Sequence, residues 1–317
     1  MMVDNTINVN EKGKFSSLDV HSEFIANTYK LSRVGVKGIK KQAAINRFGT
    51  VHTLTMSIDV SVDLPEYLKG SHMSRNAEVL AEIVDSSLKK PVYSLEDMAA
   101  KISLQLLKKH EYAKHAEVSI HADFFMNRGM KTEKESLEYY ILHATSTSIR
   151  SEDRIKTSKK IGVEVLGMSA CPCAMETCRD FFIKDRPEIS SYLTNIPVIT
   201  HNQRNRVNLF IEVPDNFSIN AEDLIDLVED SFSTPTYNIL KRDDEGKVVM
   251  NAHKNPKFVE DVVRDILARV SEKYKSLPDY IQITVKSESE ESIHKYNAFA
   301  EKITTLGDLK KENMYKQ

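Results

Sequence analysis

The chain has 317 residues, with 44 Lys+Arg against 46 Asp+Glu, a net charge of −2 and no tryptophan. That length accommodates two units that each bury a core, and the near-neutral balance excludes the broad basic field of nucleic-acid-binding proteins, so an anionic partner has to be met locally. No apolar run approaches the ~20 residues that span a bilayer, and the polar opening MMVDNTINVNEKGKF lacks a signal-peptide core, so a cytoplasmic protein with no membrane and no nucleic-acid partner is expected.

Residues 1–16 and roughly 310–317 read as frayed ends. Between them, Leu54, Met56, Ile58, Val60, Val62 and Leu64 alternate with polar residues, the period-2 pattern of a strand with one wet face. A helical pattern follows on Val79, Leu80, Ile83 and Val84, and a second over 94–110 opens with Ser94 and Asp97 at capping-box spacing. Ala116, Val118, Ile120, Ala122 and Phe124 alternate again and close a strand, helix, helix, strand unit. The order then recurs. Ile161, Val163 and Val165 read as a strand leading into Cys171, and Val207, Leu209, Ile211 and Val213 as another. A helix is expected over 221–232, a second from an Asn255 N-cap and Pro256 at N1, and a closing strand on Ile281, Ile283 and Val285. The reading is an α+β fold, a duplicated antiparallel sheet with a helix pair on one face, with its seam near 150–160 and units of 1–158 and 159–317.

Chemistry concentrates in a few places. Cys171, Cys173 and Cys178 lie within eight positions, a poor disulfide framework and a better basis for metal or redox chemistry. If the strand persists, Cys171 and Cys173 of the CPC point to one side; the competing reading is a pair of small buried hydrophobes. Thr200 to Arg206 form a polar string around His201 at a strand mouth, which suits a site and equally a solvated turn. One Cys and one His are too few for a closed structural zinc site and fit an open one, which then needs a carboxylate. The loop Lys241-Arg242-Asp243-Asp244-Glu245 offers three, though charge runs are usually solvated faces. Glu260 borders an apolar helical stripe where it can be half-buried, or simply pair with Arg264. Glu291, His294 and Tyr296 make an acid/base cluster or a plain surface loop. His72 and Arg75 stand just before a helix start, where phosphate can be received. No GxxxxGK[ST] or GxGxxG occurs, which disfavours P-loop and Rossmann sites.

Six segments in order, KGSHMSR, the CPC, HNQR, LKRDDE, NPKFVEDVVRD and ESIHKYNAFAE, resemble the GTP cyclohydrolase type IB family over about residues 30–305, and within it the archaeal MptA type. The resemblance implies tandem tunnelling-fold (T-fold) modules assembled into a homotetramer. It also implies one divalent metal per subunit, Fe(II) before Zn(II) or Mn(II), ligated by Cys171, His201 and Glu245. Cys173 would stand beside the ion, Glu260 would anchor the guanine of GTP, and Glu291 and His294 would carry protons. His72, Arg75, Lys241 and Arg242 are the candidate phosphate groups. The implied product is 7,8-dihydroneopterin 2′,3′-cyclic phosphate with formate and pyrophosphate released. The long segment 174–200 and Tyr296 favour that branch over the bacterial one, which yields the triphosphate. A metal-stabilised module without catalysis and an enzyme acting on another purine or pterin are the alternatives.

Overall fold

The computed structural model describes residues 27–47, 50–129, 136–152, 154–194, 196–214 and 217–314. Its first half runs β1 (Leu31–Arg47), β2 (Thr50–Leu64), α1 (Met73–Leu80, continued by a π turn over Ala81–Asp85), α2 (Leu95–Lys109), β3 (His115–Arg128) and β4 (Ser136–Ser151). The second half repeats the order with β5 (Arg154–Ala170), β6 (Asn202–Glu212), α5 (Ala221–Glu229), α7 (Val259–Lys273), β8 (Gln282–Ser289) and β9 (Ala298–Thr305). Into this repeat are set α3 (Pro172–Asp185), α4 (Ser190–Leu193), the short β7 (Thr234–Pro235) and α6 (Arg242–Lys254), with α8 (Leu306–Met314) at the end. All main strands pair antiparallel in the order β1-β2-β3-β4-β5-β6-β8-β9.

One face of this sheet is buried throughout. Ile58, Ile120, Ala144 and Ile161 are laterally paired positions on neighbouring strands, and all belong to one core that continues through Leu209 and Val285. Directly opposed residues share a face, so the alternation is carried without a slip from β2 through β6 to β8. The helices cover that face, and neither the sheet nor the core breaks where β4 gives way to β5. Ser94 caps α2 as its spacing predicts, its Oγ accepting from the N–H of Asp97 at 3.1 Å.

Several expectations fail for identifiable reasons. Each unit holds two strands on either side of its helices, whereas the sequence showed such a pair only before the helices of the second half. β1 is hidden in the sequence because it is an edge strand with two register shifts. β4 is hidden because its buried face carries Ser146 and Ser148, which bond Ser103 of α2. The 241–245 loop is the N-cap and first turn of α6, and Asn255 is that helix's C-cap, so the next helix starts at Val259 behind Phe258. Asn255 instead donates its side-chain amide to the carbonyl of Phe232 at 3.1 Å. Residues 310–314 belong to α8, while 1–16 and 315–317 lie outside the described residues.

The end of β5 is held by a close approach. A Cβ at Gly167 would meet the Phe232 ring at 2.1 Å, and Phe232 is buried in the core. Gly167→Ala must therefore displace Phe232 and should lower stability by about 1–3 kcal/mol, read as a lower urea midpoint; an unchanged midpoint would show that the ring has room to move.

Candidate functional site

β5 and β6 pair in strict register from Lys160–Glu212 to Ala170–Asn202. The ladder continues one step further, because the N–H of Cys171 donates to the carbonyl of His201 at 3.1 Å. Thr200 secures the same point by donating its hydroxyl to the Cys171 carbonyl at 2.7 Å. Cys171 and His201 are thus directly opposed, and their side chains leave on the same face, the one that the helices cover further down the strands.

The extended conformation stops there. Pro172 begins α3, so Cys171 is its N-cap, with Sγ accepting from the N–H of Ala174 at 3.4 Å. The expectation that Cys171 and Cys173 project together from a strand is therefore wrong: Cys173 lies exposed in the first helical turn. Pro at the first helical position, where no N–H is needed, makes this turn favourable. Cys178 packs against a small separate cluster of Met175, Leu193 and Val198, away from the opposed pair.

On its other edge β6 pairs with β8, and here too the ladder outlasts the strand, with Glu290 N–H donating to the Arg204 carbonyl at 2.8 Å. The following position sets Gln203 against Glu291. Gln203 Nε2 donates to Glu291 Oε1 at 3.3 Å, and Gln203 Oε1 lies 2.8 Å from His201 Nδ1. Glu291 Oε2 stands 3.8 Å from the same nitrogen, and Ser292 Oγ at 3.5 Å. Since the amide oxygen of Gln203 can only accept, His201 Nδ1 carries the hydrogen, and Nε2 is left with a lone pair on the opposite edge of the ring.

Behind this row lie buried polar atoms without partners among the described residues: Ser169 Oγ, Asn205 Nδ2 and Ser289 Oγ. Asn205 and Ser289 are laterally paired, Ser169 pairs with Gln203, and the Asn205 oxygen is occupied by Ser287 at 2.7 Å. Buried polar groups are normally satisfied by protein or water, and these three find no such partner among the described residues.

The other expected residues are placed unevenly. The N–H of Lys257 donates to the Ala170 carbonyl at 3.0 Å, which docks the approach to α7 beside Cys171. Glu260, in the first turn of α7, is exposed and not half-buried, because the apolar stripe passes through Val259, Val262 and Val263; Arg264 pairs with Asp261 at 2.9 Å instead. Lys241, Arg242 and Glu245 are exposed at the start of α6. Among the described residues no group of three or more His, Cys, Asp and Glu is arranged to hold a metal ion, so Glu245 is not gathered with Cys171 and His201 in this chain. His294 is exposed and stacks on Tyr296, with ring centroids 4.9 Å apart.

A family model described as type I GTP cyclohydrolase folE2 matches residues 18–300. The chain belongs to this family. Among its relatives, GTP cyclohydrolase MptA of Methanothermobacter thermautotrophicus is 42% identical over 308 residues, covering 94% of both chains. GTP cyclohydrolase MptA of Methanosarcina mazei is 39% identical over 314 residues, covering 95% of this chain and 99% of the relative. A uricase from Bacillus fastidious shares the tunnelling fold with a TM-score of 0.50 at 12% identity, over 89% of this chain and 96% of that one. The chain is therefore an enzyme of the GTP cyclohydrolase family with an antiparallel T-fold sheet. No helix among the described residues is long and apolar enough to cross a membrane.

In this cyclohydrolase, His72 and Arg75 lie at the other end of the sheet. They follow Leu64, and β2 ends beside Ala116, which is level with Ser148 and Thr157 near the start of β5. Cys171 stands beyond the far end of that strand, roughly 45 Å away at 3.3 Å per residue. His72 is the N-cap of α1, and Arg75 Nη1 donates to the Lys109 carbonyl at 3.1 Å. The segment is held from beneath: His110 lies 2.9 Å from Asn76 Oδ1 through Nε2 and 2.9 Å from the Tyr112 hydroxyl through Nδ1, and Tyr112 meets Ser71 at 2.9 Å.

Burial pushes the His110 pKa from 6.5 down to about 4, with Arg75 and His72 acting in the same direction. Burial next to His121 likewise lowers His143 to about 4. Both rings stay neutral in the fold at pH values where the unfolded chain takes up protons. Their contribution is thus complete above about pH 6.5 and is lost as pH falls towards 4, at about 1.4 kcal/mol per pH unit for each. Urea midpoints measured from pH 7.5 to 4.5 should fall with this sign, less steeply in His110→Gln; equal slopes for the two proteins would contradict the assignment.

Proposed function

We propose that this enzyme converts GTP into 7,8-dihydroneopterin 2′,3′-cyclic phosphate with release of formate and pyrophosphate, using one divalent ion per subunit. The observation that carries the reading is the opposed Cys171–His201 pair, with Gln203 and Glu291 fixing the imidazole from behind. The GTP cyclohydrolase names of relatives that match nearly the full chain support GTP as substrate.

The donors suit an ion in part. Cys171 and His201 offer a sulfur and a nitrogen on one face, and the hydrogen on Nδ1 leaves Nε2 to coordinate, as orienting partners of metal-bound histidines commonly arrange. Glu291 stands on the Nδ1 edge, so it orients the ring and is not itself the third ligand. That ligand would be Glu245. A thiolate, imidazole and carboxylate set accommodates Fe(II), Zn(II) or Mn(II), and Fe(II) follows from the family resemblance. When bound, such an ion brings the pKa of water towards ~7 and so supplies a nucleophile near neutral pH.

The chain's own residues do the rest. Glu260 projects from the start of α7 beside the end of β5, and its carboxylate can accept the N1 and 2-amino hydrogens of guanine together. That sets C8 of the base towards Cys171 and His201. Addition of water to C8 places a proton on N7 and opens the imidazole ring to a formamide, and a second water hydrolyses the formamide so that C8 leaves as formate; Glu291 and His294 are the groups to hold and return protons, and Cys173 would stand beside the ion. The ribose then opens and rearranges to an aminoketone, whose carbonyl condenses with the freed N7 amine, losing water and closing the dihydropterin ring; the 2′-hydroxyl of the resulting three-carbon chain attacks the α-phosphorus, breaks the α–β anhydride and expels pyrophosphate. Lys241 and Arg242 would neutralise the phosphates. His72 and Arg75 stand at the opposite end of the sheet and can join the same site only from another subunit, which fits a homotetramer of chains with modules 1–158 and 159–317.

Incubation of the metal-reconstituted protein with GTP under anoxic conditions should give formate and, after oxidation, a fluorescent pterin whose mass is that of the cyclic phosphate. A triphosphate product would place the enzyme with the bacterial type, and no product with Fe(II), Mn(II) or Zn(II) would end the proposal. Gln203→Ala should cut turnover and metal affinity roughly 10–100-fold while leaving the melting temperature within a few degrees. Glu260→Ala should raise the KM for GTP more than it lowers kcat.

A further inference from the structure

Away from the catalytic end, the helix-bearing face holds a cavity of about 90 Å3 between the start of α2 and the approach to α5. Its floor is apolar, with Leu54, Phe124, Leu142 and Ile161 contributed by four neighbouring strands. It lies where the helix pair of the first half meets that of the second, a seam that neither pair fills. The volume is of the order of the roughly 150 Å3 engineered cavity that admits benzene.

Glu96 lines this cavity and is only 3% exposed. A carboxylate there is costly unless its oxygens are bonded. One side is occupied by local contacts with Ser94 and with the residue's own backbone N–H. Oε2 is not: it is buried and has no hydrogen-bond partner among the described residues. Burial raises the pKa of Glu96, and the charge of Asp97 adds to the effect. Asp97 itself is paired with Lys159 at 2.6 Å, so the adjacent cation is already engaged. Tyr93, 61% exposed, lines the cavity, and Phe217, 40% exposed, lines an adjoining recess that shares Tyr93, Ser94, Glu96 and Ser218 with it.

We propose that this cavity is a binding site for a compact, mostly apolar molecule bearing one N–H or O–H group, which enters past Tyr93 and Phe217 and donates to Glu96 Oε2. The shape and floor supply the apolar contact, and the orphan oxygen supplies the single directional bond. The site is separate from the reaction centre: Ile161 precedes Cys171 by ten residues of β5, roughly 30 Å along the strand. It does not depend on the substrate or metal proposed above.

Phenol and benzene are the probes, titrated calorimetrically into the full-length protein. Phenol should bind saturably and roughly tenfold more tightly than benzene, the worth of one buried hydrogen bond. Glu96→Gln keeps an acceptor and should stay within about threefold of the wild type, whereas Glu96→Leu should bring phenol to the level of benzene. Ser218→Trp, at an exposed position of the mouth, should abolish both. Equal affinities in the wild type, a phenol preference that survives Glu96→Leu, or phenol binding that survives Ser218→Trp would each overturn the proposal. So would a crystal grown in phenol showing only an ordered water on Oε2. Should Glu96→Leu fail to fold, the Ser218→Trp result decides alone.

Discussion

The candidate site of this protein depends on a pairing that outlives its strands. β5 and β6 are joined by a regular antiparallel ladder, and one more hydrogen bond, from Cys171 N–H to His201 C=O, carries the register past the point where β5 turns into a helix. Because register fixes which face each side chain takes, that bond makes a thiol and an imidazole neighbours although residues 172–200 intervene. The β6–β8 ladder does the same for Gln203 and Glu291. Chemistry is thereby attached to the most rigid part of the fold, with no loop left to position the pair.

The same sheet separates some of the groups that the family resemblance names. Antiparallel strands alternate in direction, so every βα connection of the repeat leaves from a defined end. The connection after β2 delivers His72 and Arg75 to the end opposite Cys171, and the buried Ser71, Asn76 and His110 network anchors them there. Within one chain the sheet itself is the ruler that keeps His72 and Arg75 apart from Cys171 and His201.

Much of this was legible in the residues. Alternation located β2, β3, β5, β6 and β8 because each buries one apolar face and wets the other. The repeat was visible for the same reason. β1 escaped because its buried residues Ala43, Ala44 and Ile45 are consecutive, β9 because none of its residues is buried, and β4 because serines replace aliphatics under α2. Within the site, Cys171 and His201 stood out by residue type, yet Gln203 did not, although its place two residues after His201 puts it on the same face of a strand. Glu260 misled because helical periodicity gives an angle around the axis and not the residue at which the helix begins. Once Val259 is the first helical position, its neighbour faces solvent. The polar string 241–245 misled in the opposite sense, since an acidic run is also what the positive end of a helix attracts.

The departure of the chain at Cys171 and its return at His201 carry a thermodynamic corollary. Two points already adjacent in the ladder can be bridged by a tether of almost any size, because closure entropy grows only logarithmically, by about 0.6 kcal/mol for each doubling. The α3–α4 excursion, with its own miniature core of Met175, Leu193 and Val198, is therefore an appendage whose dimensions the sheet scarcely feels. Lengthening, trimming or replacing it would change what borders Cys171 and His201 while leaving the ladder that opposes them in place.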